Sequence, residues 1–124
     1  MSVEGLSQVH VSVKDVPAAV EFYRDVLGID FLFDVPGQAM AFFDVGGVRL
    51  YLGEAESPEF ESTPLLYFSV DNVDAEYTRL KTAEVEFISE PHKVHATDEY
   101  ELWMAFFKTP EGHVNALTEE RYPA

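Results

Sequence analysis

The chain has 124 residues, 47% of them apolar and 14% aromatic, enough to build the core of one compact domain and too apolar for a disordered segment. Eight Lys and Arg against 23 Asp and Glu leave a formal charge of −15; this repels phosphate backbones and anionic lipid surfaces, so neither nucleic acid nor membrane is expected as a partner. The absence of Cys excludes disulfides, thiolate zinc sites and a cysteine nucleophile.

In chain order, Met1 to Gly5 does not carry a basic region followed by an apolar stretch, and no apolar run approaches the roughly 20 residues of a membrane span, so a cytoplasmic location is expected. Val9, Val11 and Val13 alternate with Gln8, His10 and Ser12, the period-2 signature of a strand with one apolar face. Asp15 then offers an N-cap with Pro17 in the first turn. Val16, Ala19, Val20, Tyr23, Val26 and Leu27 form a helical stripe of about three turns, which Gly28 closes. Three strands follow near Phe31 to Val35, Ala39 to Val45 and Val48 to Gly53, with Pro36-Gly37 and Gly46-Gly47 as turn signals. Glu54 to Pro64 reads as a polar linker.

The same order then returns. A strand near Leu65 to Val70 precedes a helix opened by Asn72, with Asp74 and Glu76 in its first turn. Strands are expected near Glu84 to Ser89, Glu101 to Lys108 and His113 to Thr118, and Glu90 to Asp98 is either a strand extension or a loop. The segment Met40-Ala41-Phe42-Phe43 recurs as Met104-Ala105-Phe106-Phe107, which marks an internal repeat. The fold class expected is α+β: two tandem β-α-β-β-β units, over residues 5–54 and 64–119 of a single domain spanning 1–124, forming a curved mixed sheet around a cleft.

One helix covers only one face of each sheet, so the other faces are left to line the cleft. Strand parity sends Gln8, His10 and Ser12 there, with Arg49 and Tyr51 from the last strand of the first unit and Leu65, Tyr67 and Ser69 from the second. On the third strand of each unit, alternation puts Phe42 and Phe106 on one face and Phe43, Trp103 and Phe107 on the other. Aromatic walls edged by hydroxyls suit a small aromatic or amphipathic ligand, with Arg49 available for an anionic group. The ligand-binding set expected is His10, Arg49, Tyr51, Tyr67, His92 and Trp103. His10 is the candidate for proton transfer or ligand contact, the alternative being a wall histidine bonded to a neighbour such as Ser69 or Tyr67. His113 is expected in a turn, and Glu119 and Glu120 as solvated charges beyond the last strand.

A first-strand His, the run Asp-Val-x-x-Ala-Val-x-Phe-Tyr-x-x-Val-Leu-Gly at Asp15 to Gly28, and the turn Thr109-Pro110-Glu111-Gly112-His113 together resemble the vicinal oxygen chelate superfamily of glyoxalases, bleomycin-resistance proteins and extradiol dioxygenases. The resemblance covers nearly the whole chain and implies a small-molecule ligand and a homodimer. It also implies metal ligands, generally His and Glu, on the first and last strands of each unit, here His10, Tyr51, Tyr67 and Ala116. Only His10 matches, so no cofactor is expected and the chain reads as a binder or sequesterer. The alternative is a lyase, isomerase or dioxygenase using a divalent metal held by His10 with atypical partners such as His92.

Overall fold

The computed structural model describes residues 2–123; Met1 and Ala124, the two ends of the expected domain, lie outside the described residues. The chain forms two compact units that divide between Pro64 and Leu65. The first contains β1 (Gln8–Ser12), α1 (Val16–Glu21), β2 (Asp30–Asp34), β3 (Met40–Val45) and β4 (Val48–Gly53). The second contains β5 (Leu66–Ser69), α2 (Val73–Thr82), β6 (Glu86–Phe87), β7 (His92–Ala96), β8 (Glu101–Lys108) and β9 (Val114–Arg121). The sheets run β1-β4-β3-β2 and β5-β9-β8-β6. In each, the first strand is parallel to the last and the other pairings are antiparallel. The fold is therefore α+β with two mixed sheets.

Local chemistry explains the elements. Asp15 Oδ1 accepts from the Ala18 amide at 3.1 Å, and Asn72 Oδ1 from the Ala75 amide at 3.0 Å, satisfying amides that a helix start leaves without carbonyl partners. The expected three-turn first helix is in fact α-helical only to Glu21 and continues as a π-helical turn over Phe22–Val26, in which the Leu27 amide reaches the Phe22 carbonyl. The wider turn lets two adjacent aromatic residues, Phe22 and Tyr23, both be buried. Gly46 and Gly47 both have positive φ, as a two-residue hairpin between β3 and β4 requires.

Each core lies between the helix and one sheet face. In the first unit Ala41, Phe43, Leu50 and Leu52 are buried there with Val16, Ala19 and Tyr23, and the Tyr23 and Phe43 rings are 6.1 Å apart. In the second, Ala105, Phe107 and Leu117 are buried with Val73 and Leu80, and Phe87 bridges Tyr77 of α2 to Phe107. Met40–Phe43 and Met104–Phe107 thus occupy equivalent positions: both alanines and both second phenylalanines are fully buried on the helix side.

One expectation is resolved and two are corrected. Glu90 to Asp98 contains a strand, β7, on the outer edge of β8. The strand expected over Glu84 to Ser89 shrinks to Glu86–Phe87, because Glu84 has φ +68 and closes α2. The last strand runs on to Arg121. There the Glu119 side chain is only 13% exposed, accepting from the Val73 amide at the start of α2 and from Arg121 Nε. A carboxylate ahead of a helix start is favourably placed, so Glu119 is part of the packing rather than a solvated terminal charge.

Candidate functional site

The helix-free face of the first unit carries a row of rings, one from each strand. His10 of β1 is in register with Tyr51 of β4, which is in register with Phe42 of β3, and Phe42 with Phe33 of β2. Registered side chains project on the same face, and ring centroids are spaced 4.5, 5.0 and 4.8 Å along the row. Phe33 is exposed and the others are half-buried. The Arg49 guanidinium lies 5.7 Å above the Phe42 ring, with Nε donating to Gln8 Oε1 at 2.8 Å, so the cation is held over the aromatic surface. Tyr51 leans across Gly53: a Cβ there would lie 2.6 Å from both Tyr51 Cε1 and the Ala39 carbonyl oxygen. Burial, and next the charge of Glu56, push the Tyr51 phenol above the ordinary tyrosine value, so it stays neutral and able to donate.

One ring nitrogen of His10 is engaged and the other is buried. Its Nε2 is 3.1 Å from Ser12 Oγ, and that hydroxyl also accepts from the Ser62 amide at 2.9 Å. Its Nδ1 is buried and has no hydrogen-bond partner among the described residues. The partner is Ser12, on the same strand.

In the second unit, Tyr67 of β5, Ala116 of β9 and Phe106 of β8 are in register. Ala116 supplies only a methyl where the first unit has the Tyr51 ring, and Tyr67 and Phe106 meet edge to face at 6.1 Å. His92 stacks beyond Phe106 at 6.3 Å with 27° between the planes, and His92 Nδ1 is 2.8 Å from the Glu90 carbonyl oxygen. Half of the Tyr67 surface is open, at 51%. Trp103 does not join this group. It belongs to the row of Ala105 and Phe107, beneath Arg121 at 4.1 Å, with its indole N–H donating to Glu101. Strand alternation carries it to the helix side of the sheet, so its place among the ligand-binding candidates is withdrawn.

The profile of the Glyoxalase/Bleomycin resistance protein/Dioxygenase superfamily matches residues 5–117. The chain belongs to this superfamily. It is 35% identical over 92 residues to metallothiol transferase FosB of Staphylococcus epidermidis, in a match covering 69% of this chain and 65% of that protein. The chain therefore spans slightly under two thirds of that relative. Among solved structures, TnmS3, an antibiotic binding protein from Streptomyces sp. CB03234, superposes with a TM-score of 0.74 and 26% identity, covering 96% of this chain and 98% of that one. Lactoylglutathione lyase from Agrobacterium tumefaciens gives a TM-score of 0.75 at 23% identity, covering 95% of each chain, a likeness of fold.

Superfamily membership and the name of FosB both raise the question of a divalent metal. An open metal site needs about three nitrogen or carboxylate ligands. The corresponding places hold His10, whose Nε2 faces Ser12, together with Tyr51, Tyr67 and the Ala116 methyl. Among the described residues no three His, Asp or Glu side chains are grouped to hold an ion. This donor set does not fit a divalent metal. The helices among the described residues are not long and apolar enough to cross a membrane.

Proposed function

We propose that this superfamily member binds and sequesters small aromatic or amphipathic molecules on the helix-free faces of its sheets, each face taken by itself, without a metal. The observation that carries this is the unbroken row of rings from His10 to Phe33, capped by Arg49 and left partly open. Packing that merely stabilises a sheet does not need a partly open ring on every strand, whereas a face for flat ligands does. The 26% likeness to an antibiotic binding protein supports the same reading. Arg49 and Tyr51 make the polar contacts on the first face, and Tyr67 and His92 those on the second. His10 contributes its ring, since the hydrogen bonding of Nε2 and the burial of Nδ1 argue against proton transfer. The two units act as one domain over 1–124, in a cytoplasmic homodimer.

A second reading, a metal-dependent transferase, lyase, isomerase or dioxygenase, draws on the 35% identity to FosB. It requires ligands that Tyr51, Tyr67 and Ala116 do not supply.

A thermal-shift screen of fused-ring aromatic compounds, followed by titration of hits against Tyr67→Phe, tests the binder. Losing one ligand hydrogen bond should weaken binding by about 0.5–1.5 kcal/mol with little effect on folding. Hits that bind parent and variant alike would remove Tyr67 from the site.

A further inference from the structure

We infer that His92, not His10, is the imidazole that accepts a hydrogen bond from the bound molecule, and that the ligand class it selects is a flat ring carrying an O–H or N–H donor. The inference rests on the reading of the helix-free faces as ligand-binding and adds what the ligand must carry.

A carbonyl oxygen only accepts hydrogen bonds. The 2.8 Å approach of His92 Nδ1 to the Glu90 carbonyl therefore places a hydrogen on Nδ1. In the neutral ring the lone pair is then on Nε2, the tautomer being set by the bond the other nitrogen makes. Nε2 has no partner among the described residues, and His92 is exposed. The same backbone bond fixes the orientation of the ring, which stacks on Phe106 at 6.3 Å; Phe106 in turn meets Tyr67 at 6.1 Å. An oriented acceptor thus stands at one end of an aromatic surface, with a phenol at the other.

The contrast with the other histidine makes the assignment specific. His10 Nε2 is engaged with Ser12 Oγ, which also takes the Ser62 amide, while the Ser12 amide donates to the Ser62 carbonyl at 2.7 Å. These bonds tie the end of β1 to the segment that follows β4. His10 is part of that fastening. Of the remaining histidines, His113 has a buried Nδ1 without a partner among the described residues, and His95 packs against Tyr100 rather than on the Phe106 row.

The ligand requirement follows. An acceptor fixed beside a ring surface discriminates between a ring bearing a donor and the same ring with that donor methylated, because the methylated ring leaves the acceptor unsatisfied. The probes are 4-methylphenol and 4-methylanisole, titrated by calorimetry into the intact protein at about pH 8, where a phenol keeps its proton and an imidazole is neutral. The phenol should bind about fivefold more tightly. His92→Ala should abolish that preference, and His92→Gln, which retains an acceptor, should restore part of it. His95→Ala should leave it unchanged. Nitrogen-15 spectra of the histidine side chains should show the hydrogen of neutral His92 on Nδ1. Equal binding of the two probes by the parent, or a preference that survives in His92→Ala, would overturn the assignment while leaving the aromatic face in place. If neither probe binds, or both compete only at the helix side of the sheet, the reading of the face itself fails and takes this inference with it.

Discussion

The Tyr51 phenol sits between the His10 and Phe42 rings and above Gly53, a residue whose missing side chain leaves room for it. Burial foremost, and then Glu56, raise its pKa above the ordinary tyrosine value of about 10. The folded chain therefore holds this proton at a pH where the unfolded chain has released it. The resulting stability is complete below about pH 10 and is lost as pH rises through the folded-state value. Tyr51→Phe should flatten the fall of the unfolding midpoint above pH 10. Tyr122 is also raised, through its hydrogen bond to Glu120, so Tyr122→Phe serves as the comparison. An alkaline profile identical in Tyr51→Phe and the parent would mean that Tyr51 ionises as a free tyrosine does. The place of Tyr51 was legible from alternation along Val48 to Gly53. Trp103 of the second unit is not on a helix-free face, because alternation puts it with Phe107; composition alone makes it resemble a ligand ring. The His92 bond to Glu90 involves a backbone carbonyl, which leaves no trace in residue identity.

At the scale of elements, the repeat and the two faces of each sheet were readable because a strand has a period of 2 and a buried face enforces it. This gives a sharp contrast between adjacent residues. Phe107→Ala empties a fully buried site and should cost about 3–5 kcal/mol, while Phe106→Ala, on the half-buried helix-free face, should cost about 1 kcal/mol. Denaturant unfolding that shows equal losses would refute the assignment of faces. The helix ends show where pattern reading stops. Gly28, with φ +77, closes the first helix, but its counterpart Glu84 holds φ +68 with a side chain. Left-handed backbone costs a non-glycine residue about 1–2 kcal/mol, partly offset by the entropy that glycine loses. Glu84→Gly should therefore stabilise the chain by about 0.5–1 kcal/mol, and a lower melting temperature would show that the Glu84 side chain matters more than its backbone. The π-helical turn and β7 were not legible either. The turn arises from burying adjacent aromatic residues, and β7 is an exposed edge strand with no apolar alternation.

At the scale of the whole molecule, a charge of −15 disfavours phosphate backbones and anionic lipid surfaces as partners. The run from Asp15 to Gly28 pointed to a superfamily that the profile match over residues 5–117 establishes. Membership does not determine activity, since one fold carries many chemistries and the site decides among them. Here the helix-free face of the first unit has aromatic rings with one cation over them, and that of the second has an oriented imidazole, where a metal enzyme of this architecture needs carboxylate and further imidazole ligands. Metal content therefore separates the two accounts. Protein purified without chelators and analysed for zinc, manganese, nickel and iron should contain well under one equivalent of their sum per chain, and His10→Ala should not change that amount. About one equivalent of a single metal, lost on His10→Ala, would contradict the account and make the chain a metalloenzyme with an unusual ligand set.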